Sequence, residues 1–238
     1  MKRLWITDIH ANLPAFEAVL ADAGTVDEVV FLGDIVGFGP HPAECIDLLR
    51  QLDAKVIQGN HDAAILKIRN SGNCRAVPVN WNEWTFDQLN EAQLSFPESM
   101  PPTLTIQSFS GNPITLMHHP HGASYLHPDM PDAVLADNLQ AVQYPVIFCG
   151  HCHYQIDRTV NGCRYVCIPP IGQPRNRDAR AGYAIEHNES LTFRYVPYDV
   201  ERTALAIQRI GLQEEFCQRW LRFLRTGYDA QWSREYKS

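Results

Sequence analysis

The chain has 238 residues, 45% of them hydrophobic, and a formal net charge of −7. That length and composition suit one globular domain with a real core, and the acidic balance argues against a broad nucleic-acid surface, which needs a basic face. No apolar run approaches a membrane span, and the run after Lys2 and Arg3 stops at Asp8, too soon for a signal peptide. The seven cysteines are odd in number, so they read as reduced thiols of a cytoplasmic protein.

In chain order, Leu4 to Thr7 reads as a buried strand, and Pro14 opens a helix that ends near Gly24. Glu28 to Leu32 is a second strand. Gly37-Phe38-Gly39-Pro40 is a loop, and Pro42 suits the first turn of the next helix. Lys55 to Ile57 is a third strand. This alternation implies a parallel sheet with right-handed crossovers. Asp62 to Arg69 starts a helix, followed by a polar loop around Ser71-Gly72-Asn73. Trp84, Phe86, Leu89 and Leu94 suit one helical stretch closed by Phe96-Pro97. Thr103 to Phe109 and Ile114 to Met117 form a hairpin across Ser110-Gly111-Asn112. His119 to Asp132 is a loop rich in His and Pro, and Ala133 to Val142 is helical. Val146 to Cys149, Tyr154 to Val160 and Arg164 to Ile168 are strands, with Asn161-Gly162 a hairpin turn. Gly172 to Asn176 is a loop. Tyr183 to His187 and Leu191 to Val196 make another hairpin. From about residue 199 the tail is helical, with a break near Gly211. With no repeat and no linker, residues 1–238 read as one domain.

Five of the apolar runs end in Asp, Asn or His. They end at Asp8-Ile9-His10, Gly33-Asp34, Gly59-Asn60-His61-Asp62, His118 and Gly150-His151-Cys152-His153. Ligands of open α/β sheets collect at the carboxyl ends of strands. In an extended segment residues i and i+2 face one way, so Asp8 and His10 can reach one ion together. His151 and His153 share that spacing, or a turn aims them at two adjacent ions. Mixed oxygen and nitrogen donors suit Mn²⁺, Fe²⁺ or Zn²⁺ better than Ca²⁺. Singly, each residue has a plainer reading. Asp8 and Asn60 could cap helices, and a lone His is commonly a polar core or surface residue. As an ordered set they point to metal, with Asp34 at the centre.

That set resembles the calcineurin-like metallophosphoesterases over roughly the first two-thirds of the chain. Gly172-Gln173-Pro174-Arg175 is also similar to a segment of small prokaryotic members, among them phosphodiesterase and diadenosine-tetraphosphatase-like proteins. The resemblance implies an α/β fold, a four-layer αββα sandwich of two mixed sheets flanked by helices. It implies two divalent metal ions bridged by Asp34. Asp8, His10, Asp34 and His153 would hold one, and Asp34, Asn60, His118 and His151 the other. His61 would be catalytic and not a ligand. The chemistry is coherent: a metal-bridging hydroxide attacks the phosphate ester, the ions clamp its oxygens, and His61 protonates or stabilises the leaving alkoxide. Asp62 reads as a helix-start residue before a catalytic partner.

Phe38 stands where protein phosphatases and dinucleoside tetraphosphatases of the family carry an arginine. Gly37 stands where the protein phosphatases carry an aspartate that orients the histidine. Loss of the arginine favours phosphodiesters over monoesters, with Phe38 either facing an ester substituent or filling the core as a loop residue, unless Arg175 or Arg177 restores the charge. His119 is the alternative to His118 as ligand. His121 is either a substrate contact or a solvated loop residue. Cys149, Cys152, Cys163 and Cys167 read as buried thiols before a zinc ribbon. In the tail, Phe216, Trp220, Phe223 and Leu224 share a helical face that packs on the domain, with a homodimer surface as the second reading. The expected partner is a phosphate-ester small molecule or a nucleotide. The alternatives to a phosphodiesterase are a nucleotide phosphatase and a metal-containing, non-catalytic binding scaffold of the same fold.

Overall fold

The computed structural model describes residues 1–71, 81–121, 125–139, 144–211 and 213–229. The expected polar loop after Ser71 and the end of the helix through Val142 lie outside them. The chain runs β1 (Lys2–Ile6), α1 (Leu13–Ala23), β2 (Glu28–Phe31), α2 (Pro42–Arg50), β3 (Lys55–Val56), α3 (Asn60–Ser71), α4 (Trp81–Asp87) and α5 (Glu91–Ser99). It continues through β4 (Thr103–Gln107), β5 (Pro113–Met117), α6 (Asp132–Leu139), β6 (Val146–Cys149), β7 (Ile156–Val160) and β8 (Cys163–Cys167). The last elements are β9 (Ala181–His187), β10 (Ser190–Val196), α7 (Val200–Gln208) and α8 (Glu214–Thr226).

The strands form two five-stranded sheets, ordered β10-β9-β1-β2-β3 and β4-β5-β6-β8-β7. Each is mixed. β1, β2 and β3 run parallel, as do β5, β6 and β8, and antiparallel strands flank them. Alternate residues explain the near-continuous apolar runs. Leu4 and Ile6 face the helices while Trp5 faces the other sheet, and Phe148 alternates the same way between Ile147 and Cys149. Trp5 and Phe148 stack across the sheets with centroids 4.1 Å apart. One apolar layer thus joins the sheets and one covers each outer face. This is the sandwich of two mixed sheets flanked by helices.

Two expectations need correction. The stretch through Trp84 and Leu94 is two helices, because Asn90 begins a new one with a reciprocal cap: its Oδ1 accepts from Gln93 N at 3.0 Å, and its N donates to Gln93 Oε1 at 3.1 Å. Pro97 lies inside α5 and does not close it. Asp8 is no cap either, since Asn12 occupies the position before α1. The side chain of Asn12 instead ties three segments together, bonding Gly172 O, Tyr198 Oη and Thr203 Oγ1.

Candidate metal centre

The loops after β1, β2, β3, β5 and β6 converge on one edge of the sandwich. They are stitched by backbone bonds from Asp8 N to Gly33 O, His10 N to Asp34 O, and Gly150 N to His118 O. The side chains are not presented by strand pleat. Asp8, His10, Asp34, His151 and His153 all have φ between +47° and +68°. The i, i+2 pairs therefore come from left-handed turns, which Asp and His tolerate better than bulky residues do.

Those turns, with the end of β5 and the start of α3, bring ligating atoms together in three overlapping clusters: Asp8 with His10 and His153, Asp8 with Asp34 and His118, and Asp34 with His10 and His61. His153 Nε2 lies 3.0 Å from Asp8 Oδ1 and 3.1 Å from His10 Nε2. His118 Nε2 lies 3.1 Å from Asp34 Oδ2 and 3.9 Å from Asp8 Oδ1. His10 Nε2 lies 3.6 Å from Asp8 Oδ1 and 3.9 Å from Asp34 Oδ2. Asn60 and His151 sit beside this group as a pair, Oδ1 to Nδ1 at 2.8 Å, with the His151 ring 5.3 Å from that of His118. His151 and His153 thus point to different neighbours. His119 lies tilted against His151 with ring centroids 4.4 Å apart and is in none of the clusters, and His121 is exposed outside them.

The donor set fits metal ions on its own chemistry. Nδ1 of His10, His118 and His153 faces the carbonyls of Val36, Leu32 and Gln173 at 3.1, 2.7 and 2.6 Å. A carbonyl only accepts, so Nδ1 carries the hydrogen and Nε2 keeps its lone pair. In the neutral rings three lone pairs then face two carboxylates and one another, which is repulsive unless positive charge, an ion or at His118 a proton, lies among them. Among the described residues, Asp8 Oδ1 and His118 Nε2 are buried without a hydrogen-bond partner. The other Asp8 oxygen is satisfied by Thr7 Oγ1 at 2.8 Å and His151 N at 3.0 Å. Burial would raise the pKa of Asp8, but the surrounding histidines hold it well below the carboxylate range. Burial likewise opposes protonation of His118, yet Asp34 and Asp8 raise it to about 10. The field of the pocket therefore draws in positive charge. Burial and Arg175 lower His153 to about 3, so its nitrogen stays available as a donor.

The family model for the calcineurin-like phosphoesterase superfamily domain matches residues 1–190. The chain belongs to the calcineurin-like phosphoesterase superfamily. A metallophosphoesterase structure from Sphaerobacter thermophilus is 32% identical, with a TM-score of 0.75, covering 95% of this chain and 100% of its own. A hypothetical protein from Pyrococcus horikoshii OT3 superposes with a TM-score of 0.78 at 23% identity, over 96% of this chain and 99% of its own. An uncharacterized protein of Methanocaldococcus jannaschii is 29% identical over 237 residues, 90% of this chain and 95% of its own. The small prokaryotic phosphoesterases are thus matched in fold along almost the whole chain.

Around this calcineurin-like centre the structure adds residues that the sequence reading did not assign. Asp62 is fully buried and accepts four backbone N–H groups. Its Oδ2 takes Asp34 N and Gly59 N at 2.8 and 2.9 Å, and its Oδ1 takes Ile35 N and Val36 N at 3.0 and 3.4 Å. Burial and the Asp34 charge push its pKa up to about 6, against the pull of those donors. Asp62 is thus more than a helix-start residue, because it ties the Asp34 loop to the Asn60 loop. Gly150 has to be glycine for close approach: a Cβ there would lie 2.0 Å from Thr7 Oγ1 and 2.6 Å from Asp8 Oδ2.

On the open side, His61 packs edge-on to His10 with centroids 5.1 Å apart, and the Asn82 side chain hydrogen-bonds its ring. Phe38 meets both rings and also stacks on Trp220. Arg175 donates through Nη1 to Tyr125 Oη and through Nη2 to Gln173 Oε1 at 2.9 Å. Tyr125 in turn donates to Cys152 O and lies 5.6 Å from the His151 ring. No cysteine joins a metal-holding cluster among the described residues.

Proposed function

We propose that this protein hydrolyses phosphate esters at a dinuclear metal centre, with phosphodiesters turned over at least as well as monoesters. The observation that carries the reading is the inward lone-pair set of His10, His118 and His153 against Asp8 and Asp34. Two divalent ions held there, of the Mn²⁺, Fe²⁺ or Zn²⁺ class, would polarise the phosphoryl group and activate a water. Asp8, His10, Asp34 and His153 would hold one ion. Asp34, Asn60, His118 and His151 would hold the other, with Asp34 shared.

The chain's own groups do the rest. Asp8 and Asp34 would cancel only part of the charge of two such ions, which would leave the pocket attractive to an anion. His61 stands beside the centre and is the group that gives a proton to the leaving oxygen or stabilises its charge. Its pKa is lowered mainly by burial, which Asp34 only partly offsets.

Diester preference rests on the shortage of arginine forks. Phe38 brings no charge. Both Nη atoms of Arg175 already serve Tyr125 and Gln173, which reduces what that guanidinium offers to a doubly charged phosphate. The test uses paired aryl substrates, one monoester and one diester, at one Mn²⁺ concentration. Equal or better kcat/KM on the diester is expected. A strong monoester preference that Arg175→Ala abolishes would show that Arg175 supplies the clamp and that the diester reading is wrong.

A further inference from the structure

Phe38 stands between the C-terminal helices and the metal centre. Its ring stacks on Trp220 of α8, with centroids 5.0 Å and planes 20° apart. The same ring meets His61 at 4.6 Å and His10 at 5.2 Å. Phe38 has φ of +63°, directly after Gly37 at +93°. A bulky residue in the left-handed region is strained, and it persists only where its surroundings over-determine it. Trp220 supplies that constraint. It is 2% exposed and packed with Trp81, Ile207, Phe223 and Leu224.

His61 depends on such a wall. Its Nδ1 is buried without a hydrogen-bond partner among the described residues, so no acceptor among them orients the ring from that side. The space beside Nδ1 belongs to Gly37, whose Cβ, if it had one, would lie 2.8 Å away. Gly37 has no side chain and so offers that nitrogen no acceptor. Orientation falls to Phe38, to His10 and to the contact with Asn82. Trp220 lies beyond residue 190, where the match to the family model ends.

We propose that Trp220 is a positioning residue for His61, acting through Phe38. The proposal rests on the phosphoesterase reading for its kinetic consequence but not for its geometry. A shift of about 1 Å in a reacting group can cost on the order of 10²-fold in rate. Because His61 acts on the leaving oxygen, the effect falls where the leaving group is poor.

The experiment compares Trp220→Leu and Trp220→Phe with the unmodified protein, on an alkyl and an aryl phosphodiester. Trp220→Leu is expected to keep two metals and an unchanged KM. It should lower kcat about 10-fold on the alkyl ester and less than about threefold on the aryl ester, a fraction of the full acid–base contribution. Trp220→Phe keeps a ring against Phe38 and should restore most of the loss. In a His61→Ala background Trp220→Leu should add nothing. Equal losses on both esters, or losses that multiply with His61→Ala, would overturn the proposal. Phe38→Leu breaks the same link at its half-buried middle and is expected to give the same leaving-group signature, should Trp220→Leu not fold. A second readout needs no turnover. In the zinc-loaded protein the His61 imidazole NMR signals should move or broaden with Trp220→Leu and stay with Trp220→Phe. Unchanged signals in Trp220→Leu overturn the proposal. If the unmodified protein cleaves no ester, the phosphoesterase reading fails, and these signals alone decide the role of Trp220.

Discussion

Asp62 Oδ2 accepts the backbone N–H of Asp34 at 2.8 Å, so one buried carboxylate fixes the position of another. The same oxygen holds Gly59 N, and Asp34 Oδ1 in return accepts His61 N at 2.8 Å. The two loops that carry Asp34, Asn60 and His61 are thereby locked into one unit.

Asp62→Asn replaces one acceptor oxygen with an amide that can only donate. At least one backbone N–H then loses its partner, a cost of roughly 1–3 kcal/mol. Supports of this kind typically change metal affinity by about 10–100-fold. Calorimetric Mn²⁺ titration should show that loss together with a lower thermal midpoint. Unchanged affinity would mean that the Asp34 loop holds its shape without Asp62.

The ligand assignment separates neighbouring histidines. His118 Nε2 faces Asp34, while His119 lies against His151. His118→Ala should cost more bound metal than His119→Ala by elemental analysis. The reverse ranking would move the ligand by one residue.

His61→Ala should retain both metals and lose on the order of 10²–10⁴-fold in kcat, more on alkyl than on aryl esters. If kcat on an alkyl ester is unchanged, His61 is not the proton donor.

Away from the centre, Arg3 is buried between Glu28 and Glu186, with Nη1 2.9 Å from Glu186. Trp5 Nε1 donates to the same Glu186 oxygen at 3.1 Å. Arg3→Met strands Glu186 and should destabilise the fold by roughly 3–5 kcal/mol. Burial would raise the pKa of Glu28, but Lys55 and Arg3 outweigh it and hold it below its ordinary value. A depressed carboxylate adds stability that is present above its unfolded pKa, about 4.3, and is lost as pH falls through the folded value. The stability gap between the unmodified protein and Glu28→Gln should therefore close as pH drops below about 4. A gap that stays constant to low pH would leave Glu28 without this linkage.

Much of this architecture was legible from local pattern. Runs such as Val29 to Leu32 are apolar throughout because both faces of their strands are buried, and their ends mark the ring of Asp, Asn and His. What local pattern cannot carry is backbone sign and distance. Asp8 and His10 look like alternating strand residues, yet both turn left-handed. Asp62 reads as a helix start because its partners at Asp34 to Val36 are far away in sequence. Trp220 reads as one residue of an apolar helix face, and only the fold brings it to Phe38. The split between α4 and α5 had a visible cue in Asn90 and Gln93, outweighed by the apolar spacing around it.

The central claim is that the Asp8, Asp34 and histidine set holds two ions that make this chain a phosphoesterase. The most direct measurement strips the protein of metal and titrates Mn²⁺ back while following hydrolysis of an aryl phosphodiester. The account predicts no turnover in the stripped protein, activity that rises until two ions are bound per chain, and neither binding nor activity in Asp34→Asn. Hydrolysis without metal, or two bound ions with no hydrolysis of either a diester or a monoester, would contradict it.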